Sequence, residues 1–414
     1  MKADSVTARP VTYRTVLTSR NVPQLLLSAS LSRLASEMLL FAVVLYVLAK
    51  FDSPVLAGLS GFFLTLPGFL ISPMAGALLD RVGAVRAVIL DTLISAGLIG
   101  AIAVASAGGF LNPALLLAIL ALYSLTSPLS SGGIRTLFAR FVPEHAYDKA
   151  NALDLSTYSV IEVVAPLVAG GLIAWAGPDP ALVVIVVMYL VASLSLLLLR
   201  GSAAPIEPAR RKHLLREAWE GVTYLFGNPT LRGLAASYSS FQVAFGVLVV
   251  AVPVAVARAV AGEGDTEQYT GALWSLVGLC GAAGALVAGR VLHSGREKRL
   301  LVAAALGSAL AIYPIAGALA SLVTLALGLA LFGLLEGGLN VSVLSLRQRR
   351  TEPAWLGRVM TVSISVNLIG FPLGTALGGV LVARSTVAAF AAAAGFAALA
   401  ALAGSALIPR EATA

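Results

Sequence analysis

Three acidic residues and one arginine lie inside long apolar stretches of the chain: Glu37, Glu162, Glu336 and Arg33. A charged group near the centre of a bilayer costs at least about 2.5–3.5 kcal/mol on insertion scales, so such residues usually face a partner or a water-filled cavity. A buried carboxyl group can bind and release a proton, and a basic neighbour changes how readily it does so. Arg33 and Glu37 are spaced i,i+4 on one helix face and could therefore pair with each other. These residues indicate proton binding, internal ion pairing, or both.

The stretches that carry these charges are predicted to be membrane helices. The chain has 414 residues, of which 58% are hydrophobic and 12% charged, and its mean hydropathy is +0.93. A soluble domain carries about 25% charged residues, and a helix needs about 20 apolar residues to cross the hydrocarbon core. We therefore predict an all-α integral membrane protein with twelve transmembrane helices. The runs lie near 22–49, 56–79, 85–107, 113–139, 152–176, 181–199, 231–257, 268–292, 299–317, 321–346, 356–383 and 386–408.

The depth of each charge follows from its position in its span. Counting 1.5 Å per residue from the end on the side of the termini places Glu37 about 22 Å deep. Arg33, Glu162 and Glu336 come out about 15–16 Å deep. Asp91 and Asp154 lie within about 10 Å of the surface by the same count, and we expect them to serve topology or packing.

Basic residues set the expected orientation. Of the 28 lysines and arginines, only Lys50, Arg258 and Arg384 fall in loops opposite the termini, and Arg33 lies within a span. Basic loops stay in the cytoplasm, so both termini are predicted to be cytoplasmic. The net charge of +8 then reflects this topology and contact with anionic membrane lipids. Nucleic acid is not expected as a partner.

The chain repeats itself at half its length. "GALLDRVGAVR" at 76–86 returns as "GALVAGRVLHSGREKR" at 284–299. Six spans per half give both halves the same orientation, so we predict two parallel six-helix bundles. The predicted division is a cytoplasmic N-terminal segment at 1–21, bundles at 22–200 and 231–408, a linker at 201–230 and a tail at 409–414. Within the linker, Leu215, Trp219, Val222 and Phe226 form one apolar stripe, which predicts an amphipathic helix on the cytoplasmic leaflet.

The turn between spans two and three carries a recognisable pattern. Gly76, Asp80, Arg81 and Gly83 match Gly-x-x-x-Asp-Arg-x-Gly, with Arg86 as the later basic residue. This resembles the signature loop of the major facilitator superfamily, and the chain looks most like its branch of macrolide-efflux and enterobactin-exporter proteins. The resemblance implies that Asp80 holds the two halves together on the cytoplasmic side. Arg81, Arg86 and Arg135 of span four are its candidate partners, and an ordinary cytoplasmic turn is the alternative.

The same resemblance gives the other polar residues roles. Glu37 lies where proton-coupled efflux proteins of the superfamily often keep an acid. Glu162 precedes "APLVAGG" (Ala165, Pro166, Gly170 and Gly171 among its residues), which resembles the antiporter motif Gly-Pro-x-x-Gly-Gly with alanines in two glycine positions. Glu336, with Asn340 one turn further on, is predicted to line a polar cavity.

We expect a secondary active transporter without enzymatic activity, cofactor or metal site. The chain has no Gly-x-x-x-x-Gly-Lys-Ser/Thr loop for ATP, and its three histidines are far apart in sequence. The predicted activity is proton-coupled efflux of amphipathic drug-like or siderophore-like molecules by a monomer in the cytoplasmic membrane of a prokaryote. Three deep acids against one deep base favour cationic cargo. Transport of a lysophospholipid or another lipid is the alternative, and import is also open.

Overall fold

The structure is a computed structural model that describes residue 17 and residues 21–142, 147–199, 214–260, 265–291, 295–317, 321–352 and 355–409. Across these ranges the chain forms helices joined by short turns, without a strand, which confirms the predicted all-α fold. Twelve helical segments in them are long and apolar enough to cross a membrane, as the sequence predicts. The helices are α1 Val22–Phe51, α2 Pro54–Val82, α3 Ala84–Ala107, α4 Pro113–Phe141, α5 Tyr147–Ala176, α6 Pro178–Leu197, α7 Leu214–Gly227, α8 Pro229–Val260, α9 Thr266–Val291, α10 Glu297–Gly317, α11 Leu322–Arg349, α12 Leu356–Leu368, α13 Gly370–Arg384 and α14 Thr386–Leu407.

Several turns are built by residues that start a helix. Pro54, Pro113 and Pro178 lie in the first turns of α2, α4 and α6, where the missing N–H has no partner within the helix to lose. The side chains of Ser53 and Asn112 accept hydrogen bonds from backbone N–H groups in the first turns of α2 and α4, at 3.2 and 3.0 Å. Both caps satisfy donors that the helix itself leaves free, so the polar punctuation of the sequence becomes sharp helix starts.

The helices pack as two groups. Helices α1–α6 pack against one another, and so do α8–α14. Even numbers of crossings bring the chain back to the side of the bundle on which it starts. We call this side the terminal side and the opposite one the distal side. The residue bounds of the two bundles given above stay a prediction.

The two groups meet mainly along two helix pairs, α5 with α9 and α2 with α13, and less extensively where α2 contacts α12 and where α1 and α2 contact α8. Glycines let the backbones touch: a Cβ on Gly170 would overlap the backbone oxygen of Glu267, and a Cβ on Gly58 would overlap that of Thr375. Small residues allow such close approach in lipid. These contacts lie at the distal ends of the helices, and along α5 they continue to mid-length, where Gly278 faces the backbone of Glu162. We call this set of contacts the distal seam.

Helix α7 connects the two groups on the terminal side. It packs against α12 and also contacts α2. Leu225 is fully buried, and the ring of Tyr224 stacks on that of Trp355 at 4.8 Å. Trp219 and Phe226, from the predicted apolar stripe, are instead 71% and 49% exposed. Val222 of the same stripe packs on the core, so the stripe is only partly exposed, and its contact with the leaflet stays a prediction.

Candidate functional site

The i,i+4 spacing of Arg33 and Glu37 suggested that they pair with each other, but in the structure Arg33 pairs with another residue. Its two terminal nitrogens donate to Oδ1 and Oδ2 of Asp154 on α5 at 2.6 and 3.2 Å, and Nη1 also reaches Thr157 at 3.3 Å. The guanidinium lies 3.8 Å from the centre of the Tyr158 ring. Helical side chains lean toward the N-terminus of their helix, which takes Arg33 away from Glu37 and toward the terminal side. There Asp154 offers both oxygens in the fork geometry that arginine prefers.

Asp154 packs α5 against α1 through this ion pair. Its side chain is 13% exposed and that of Arg33 is 9% exposed, so the pair is buried and joins α1 to α5. Counting residues from the helix end gave its depth but could not show which helix it faces. The partner of Asp154 could not be predicted, because an ion pair between helices depends on their rotation.

The three predicted acids come together from both groups of helices. Glu37 lies on α1, Glu162 on α5 and Glu336 on α11. Glu162 is within electrostatic range of both other carboxyl groups. Glu162 is exposed, whereas Glu37 and Glu336 are half-buried. Within the described ranges none of the three forms an ion pair with a basic residue, so three acidic groups share one region without a counter-charge. We call this region the acid cluster.

A polar stripe on α11 extends from the acid cluster toward the terminal side. Glu336, Asn340 and Arg347 are spaced i, i+4 and i+11, which places them on one helix face. Asn340 is exposed, and its Oδ1 accepts a hydrogen bond from the hydroxyl of Tyr238 at 2.8 Å. Arg347 is only 5% exposed. Its Nη2 lies 2.6 Å from the amide oxygen of Asn367 on α12, whose nitrogen donates to the backbone oxygen of Ser363 at 3.1 Å.

The sequence analysis missed Arg347, since it lies only two residues before the end of α11. Its long side chain leans back toward Asn340, because helical side chains tilt toward the N-terminus of their own helix. The seven-residue spacing from Asn340 to Arg347 was the signal that could have found it. Arg347 is a buried base that the count of three deep acids against one deep base leaves out.

A second polar group, of which only Asp91 was named from the sequence, lies in the first half of the chain. The hydroxyls of Tyr123 and Tyr189 are 2.5 Å apart, and that of Tyr123 also donates to Ser36 at 3.3 Å. Asp91 is 2% exposed and accepts a hydrogen bond from the Ser130 hydroxyl, while its other oxygen has no partner. Both tyrosine hydroxyls lie within electrostatic range of Asp91. These side chains tie α1, α3, α4 and α6 together beside Glu37.

An aromatic cluster closes the distal side of the acid cluster. Phe41, one helical turn beyond Glu37, lies 5.6 Å from Trp274 of α9, which lies 5.4 Å from Phe245 of α8. Phe245 in turn contacts Phe332 and Phe371, at 6.1 and 5.9 Å between ring centres. Because Phe41 belongs to the first group of helices and Trp274 to the second, these rings span the boundary. The exposed side chains of Glu162 and Asn340 lie on the terminal side of them.

The signature loop forms a tight turn on the terminal side. Gly83 ends α2 and precedes α3 with φ of +86°, a conformation that favours glycine. Arg81, Arg86 and Arg135 are exposed. The surroundings of Gly76 and the side chain of Asp80 lie outside the part of the chain that the structure describes. The predicted contacts of Asp80 therefore stay untested.

The antiporter-like motif lies in the distal seam. The backbone oxygen of Pro166 and the Cα of Gly170 both approach Gly271 of α9. Ala165, one of the alanines that replace the motif's glycines, is fully buried. A Cβ added at Gly171 would have no neighbouring atom within 4 Å.

Comparison with known proteins agrees with this geometry. A family model described as Major Facilitator Superfamily matches residues 25–300. The chain belongs to the major facilitator superfamily. It is thus a transporter and a multi-pass membrane protein, as its twelve apolar helices indicate.

Relatives of this superfamily member include bacterial transporters. A protein of Sinorhizobium fredii, named as the uncharacterised MFS-type transporter y4rN, is 43% identical over 406 residues, covering 98% of this chain and 99% of the relative. The enterobactin exporter EntS of Shigella boydii serotype 18 is 30% identical over 252 residues, covering 60% of this chain and 58% of the exporter.

Solved structures share the fold. The nucleoside transporter NupG superimposes with a TM-score of 0.76 at 14% identity, covering 94% of this chain and 100% of that one. An autoinhibited peptide transporter of the POT family gives 0.75 at 14% identity, covering 95% and 98%. At this identity the likeness shows the fold alone.

Proposed function

We propose that this superfamily member is a proton-coupled exporter of amphipathic small molecules, drug-like or siderophore-like. The observation that carries the proposal is the acid cluster. Its carboxyl groups come from α1, α5 and α11, lie in electrostatic contact and have no basic partner among the described residues. Like charges that share a site cannot all stay ionised at low cost, so such a cluster binds protons readily.

The cluster is also placed where binding can be coupled to movement. Glu162 belongs to one group of helices and Glu336 to the other, so a change in their separation changes the repulsion between them. The distal seam and the aromatic rings close one end of the region. In our proposal this is the state that opens to the cytoplasm, where cargo enters and displaces the protons. The outward-open state then reloads the acids with protons.

Similarity to the enterobactin exporter supports the direction of transport. That relative is an exporter, and the alignment covers 60% of this chain. The basic loops support a location in the bacterial inner membrane with both termini in the cytoplasm. We propose a monomer, since each of the groups described above is complete within one chain.

Transport by reconstituted protein tests the proposal. Full-length protein in proteoliposomes is given an imposed pH gradient, and uptake is measured for a panel of drugs, siderophores and lysophospholipids. Glu37→Gln is expected to abolish pH-driven accumulation while downhill exchange of cargo continues, because the cargo site remains but the proton site does not. Asp52→Asn is the matched control, since Asp52 is exposed at the distal end of α1 and asparagine tolerates its left-handed backbone.

Two results would contradict the proposal. Full pH-driven accumulation by Glu37→Gln would make Glu37 a structural residue and leave Glu162 as the next acid to test. Transport of lysophospholipid alone, independent of the pH gradient, would favour the lipid-transporter alternative.

A further inference from the structure

Arg347 is a buried cation without a counter-ion. It is 5% exposed, and it forms no ion pair with any carboxylate in the part of the chain that the structure describes. Its Nε has no hydrogen-bond partner, and its Nη2 is held by the neutral amide of Asn367. An unbalanced charge in such surroundings is costly and is usually paired. Arg33 shows the contrast, because Asp154 neutralises it in the other half of the chain.

The groups around Arg347 favour an anion. Ser363 is fully buried, and its hydroxyl has no hydrogen-bond partner. The titratable group in electrostatic contact with Arg347 is the hydroxyl of Tyr238. The charges of Glu336 and Glu162 also act on Tyr238, but neither acid forms an ion pair with Arg347. The arginine fork and the hydroxyls can donate to a carboxylate or phosphate.

The position of Arg347 connects this group to the acid cluster. It lies eleven residues beyond Glu336 on the same face of α11, a rise of about 16 Å along the helix, and its side chain leans back toward Glu336. The exposed Asn340 and the Tyr238 hydroxyl lie between them. The exposed Asn340 therefore lies between the acid cluster and the buried Arg347.

We propose that Arg347, with Asn367 and Tyr238, is an anion subsite that binds a carboxylate or phosphate group of the transported molecule. This proposal rests on the proposed function, because it assigns the class of cargo that the same cavity takes. The cargo is an amphipathic anion or dipolar molecule, and not the purely cationic compound that a count of deep charges favours. Arg347 holds the anionic group, while the rest of the cargo reaches the acid cluster and displaces its protons.

Binding to purified full-length protein in nanodiscs tests the subsite. The probes are three small aromatic compounds: salicylate carries a carboxylate, phenyl phosphate carries a phosphate, and salicylamide has the shape of salicylate without its charge. Tetraphenylphosphonium serves as a cationic probe for the acid cluster. Equilibrium dialysis at constant pH gives the dissociation constant of each.

The variants separate an anion subsite from a structural arginine. Arg347→Gln is expected to weaken binding of the two anions about 10- to 100-fold, the range for losing a hydrogen bond to a charged group, and to leave tetraphenylphosphonium binding unchanged. Arg347→Lys should keep part of the anion affinity. Asn367→Asp supplies the missing carboxylate and should abolish anion binding while raising thermal stability, so the test does not depend on removing the arginine. Arg232→Gln, at an exposed position on α8, is the control.

The outcomes are distinguishable. The anion that binds more tightly, salicylate or phenyl phosphate, identifies the preferred anionic group. The proposal is overturned if the wild type binds neither anion better than salicylamide, or if Arg347→Gln and Asn367→Asp bind anions as the wild type does. If anion binding depends on Arg347 but no pH-driven transport occurs, the subsite stands and proton coupling fails.

Discussion

Removing the charge of Asp154 is expected to destabilise the protein strongly. In Asp154→Asn, the Arg33 guanidinium loses the carboxylate that it contacts through both terminal nitrogens. The side chains of the pair are only 9% and 13% exposed, so water cannot replace the lost partner. The buried positive charge then remains without compensation.

The size of the effect follows from the contacts that are lost and kept. Breaking a buried ion pair by removing one partner costs about 3–5 kcal/mol. Arg33 keeps the Thr157 hydroxyl and the face of the Tyr158 ring, which together retain about 1–2 kcal/mol. A net loss of about 1–4 kcal/mol remains. In a unit the size of α1–α6, this lowers the unfolding temperature by about 2–16 °C.

Thermal unfolding of purified protein, followed by intrinsic fluorescence, measures this loss. The double variant Arg33→Gln with Asp154→Asn removes both charges and is expected to recover most of the lost stability. Glu37→Gln is the control, because Glu37 is not the partner of Arg33. Two findings would refute the reasoning: an unfolding temperature of Asp154→Asn within about 2 °C of the wild type, less than one kcal/mol, or an equal loss in Glu37→Gln.

Two further predictions concern the contacts between the two groups of helices. Asp80→Asn is expected to weaken closure of the terminal side and shift the population toward states open there. Double electron–electron resonance between labels on the terminal ends of α2 and α12 measures this shift, and an unchanged distance distribution would make Asp80 an ordinary turn residue. Gly170→Val is expected to separate the distal ends of α5 and α9, since even a Cβ would overlap the backbone of Glu267. Labels at those ends should move apart in Gly170→Val but not in Gly171→Val, whose added atoms meet open space; equal effects of both variants would contradict the prediction.

The fold could be predicted from the sequence because each span is specified locally. A run of about 20 apolar residues has to be a helix in lipid, and prolines and capping residues mark where each run begins. Twelve helices follow from these signals without any knowledge of how they pack.

The site could be predicted only in part. Depth along a helix can be counted, and it placed Glu37, Glu162 and Glu336 near one level, where the structure brings them into electrostatic contact. Partners on other helices cannot be counted in this way, because they depend on helix rotation. The count therefore missed Asp154 as the partner of Arg33. It also missed Arg347, whose side chain reaches away from its own Cα.

The linker shows the same limit. An apolar stripe on α7 was readable from the sequence, but Tyr224 and Leu225, which pack on the protein, lie beside that stripe. A helix at a membrane surface has two apolar neighbours, the protein and the lipid. The sequence of the helix does not show which face contacts the protein and which contacts the lipid.

The distal seam has a kinetic consequence. Along it the helices touch mainly through backbone atoms, with glycine on both sides at Gly170 and Gly271 and at Gly58 and Gly379. In a seam of interlocked side chains, separation requires each side chain to leave its rotamer well before contact is lost. Glycines have no rotamers to change, so the seam can part and re-form along a smooth path. The barrier to opening is then set by dispersion contacts that are individually small. In the proposed transport cycle, side-chain rearrangement at this seam would therefore not limit the rate of alternation between states.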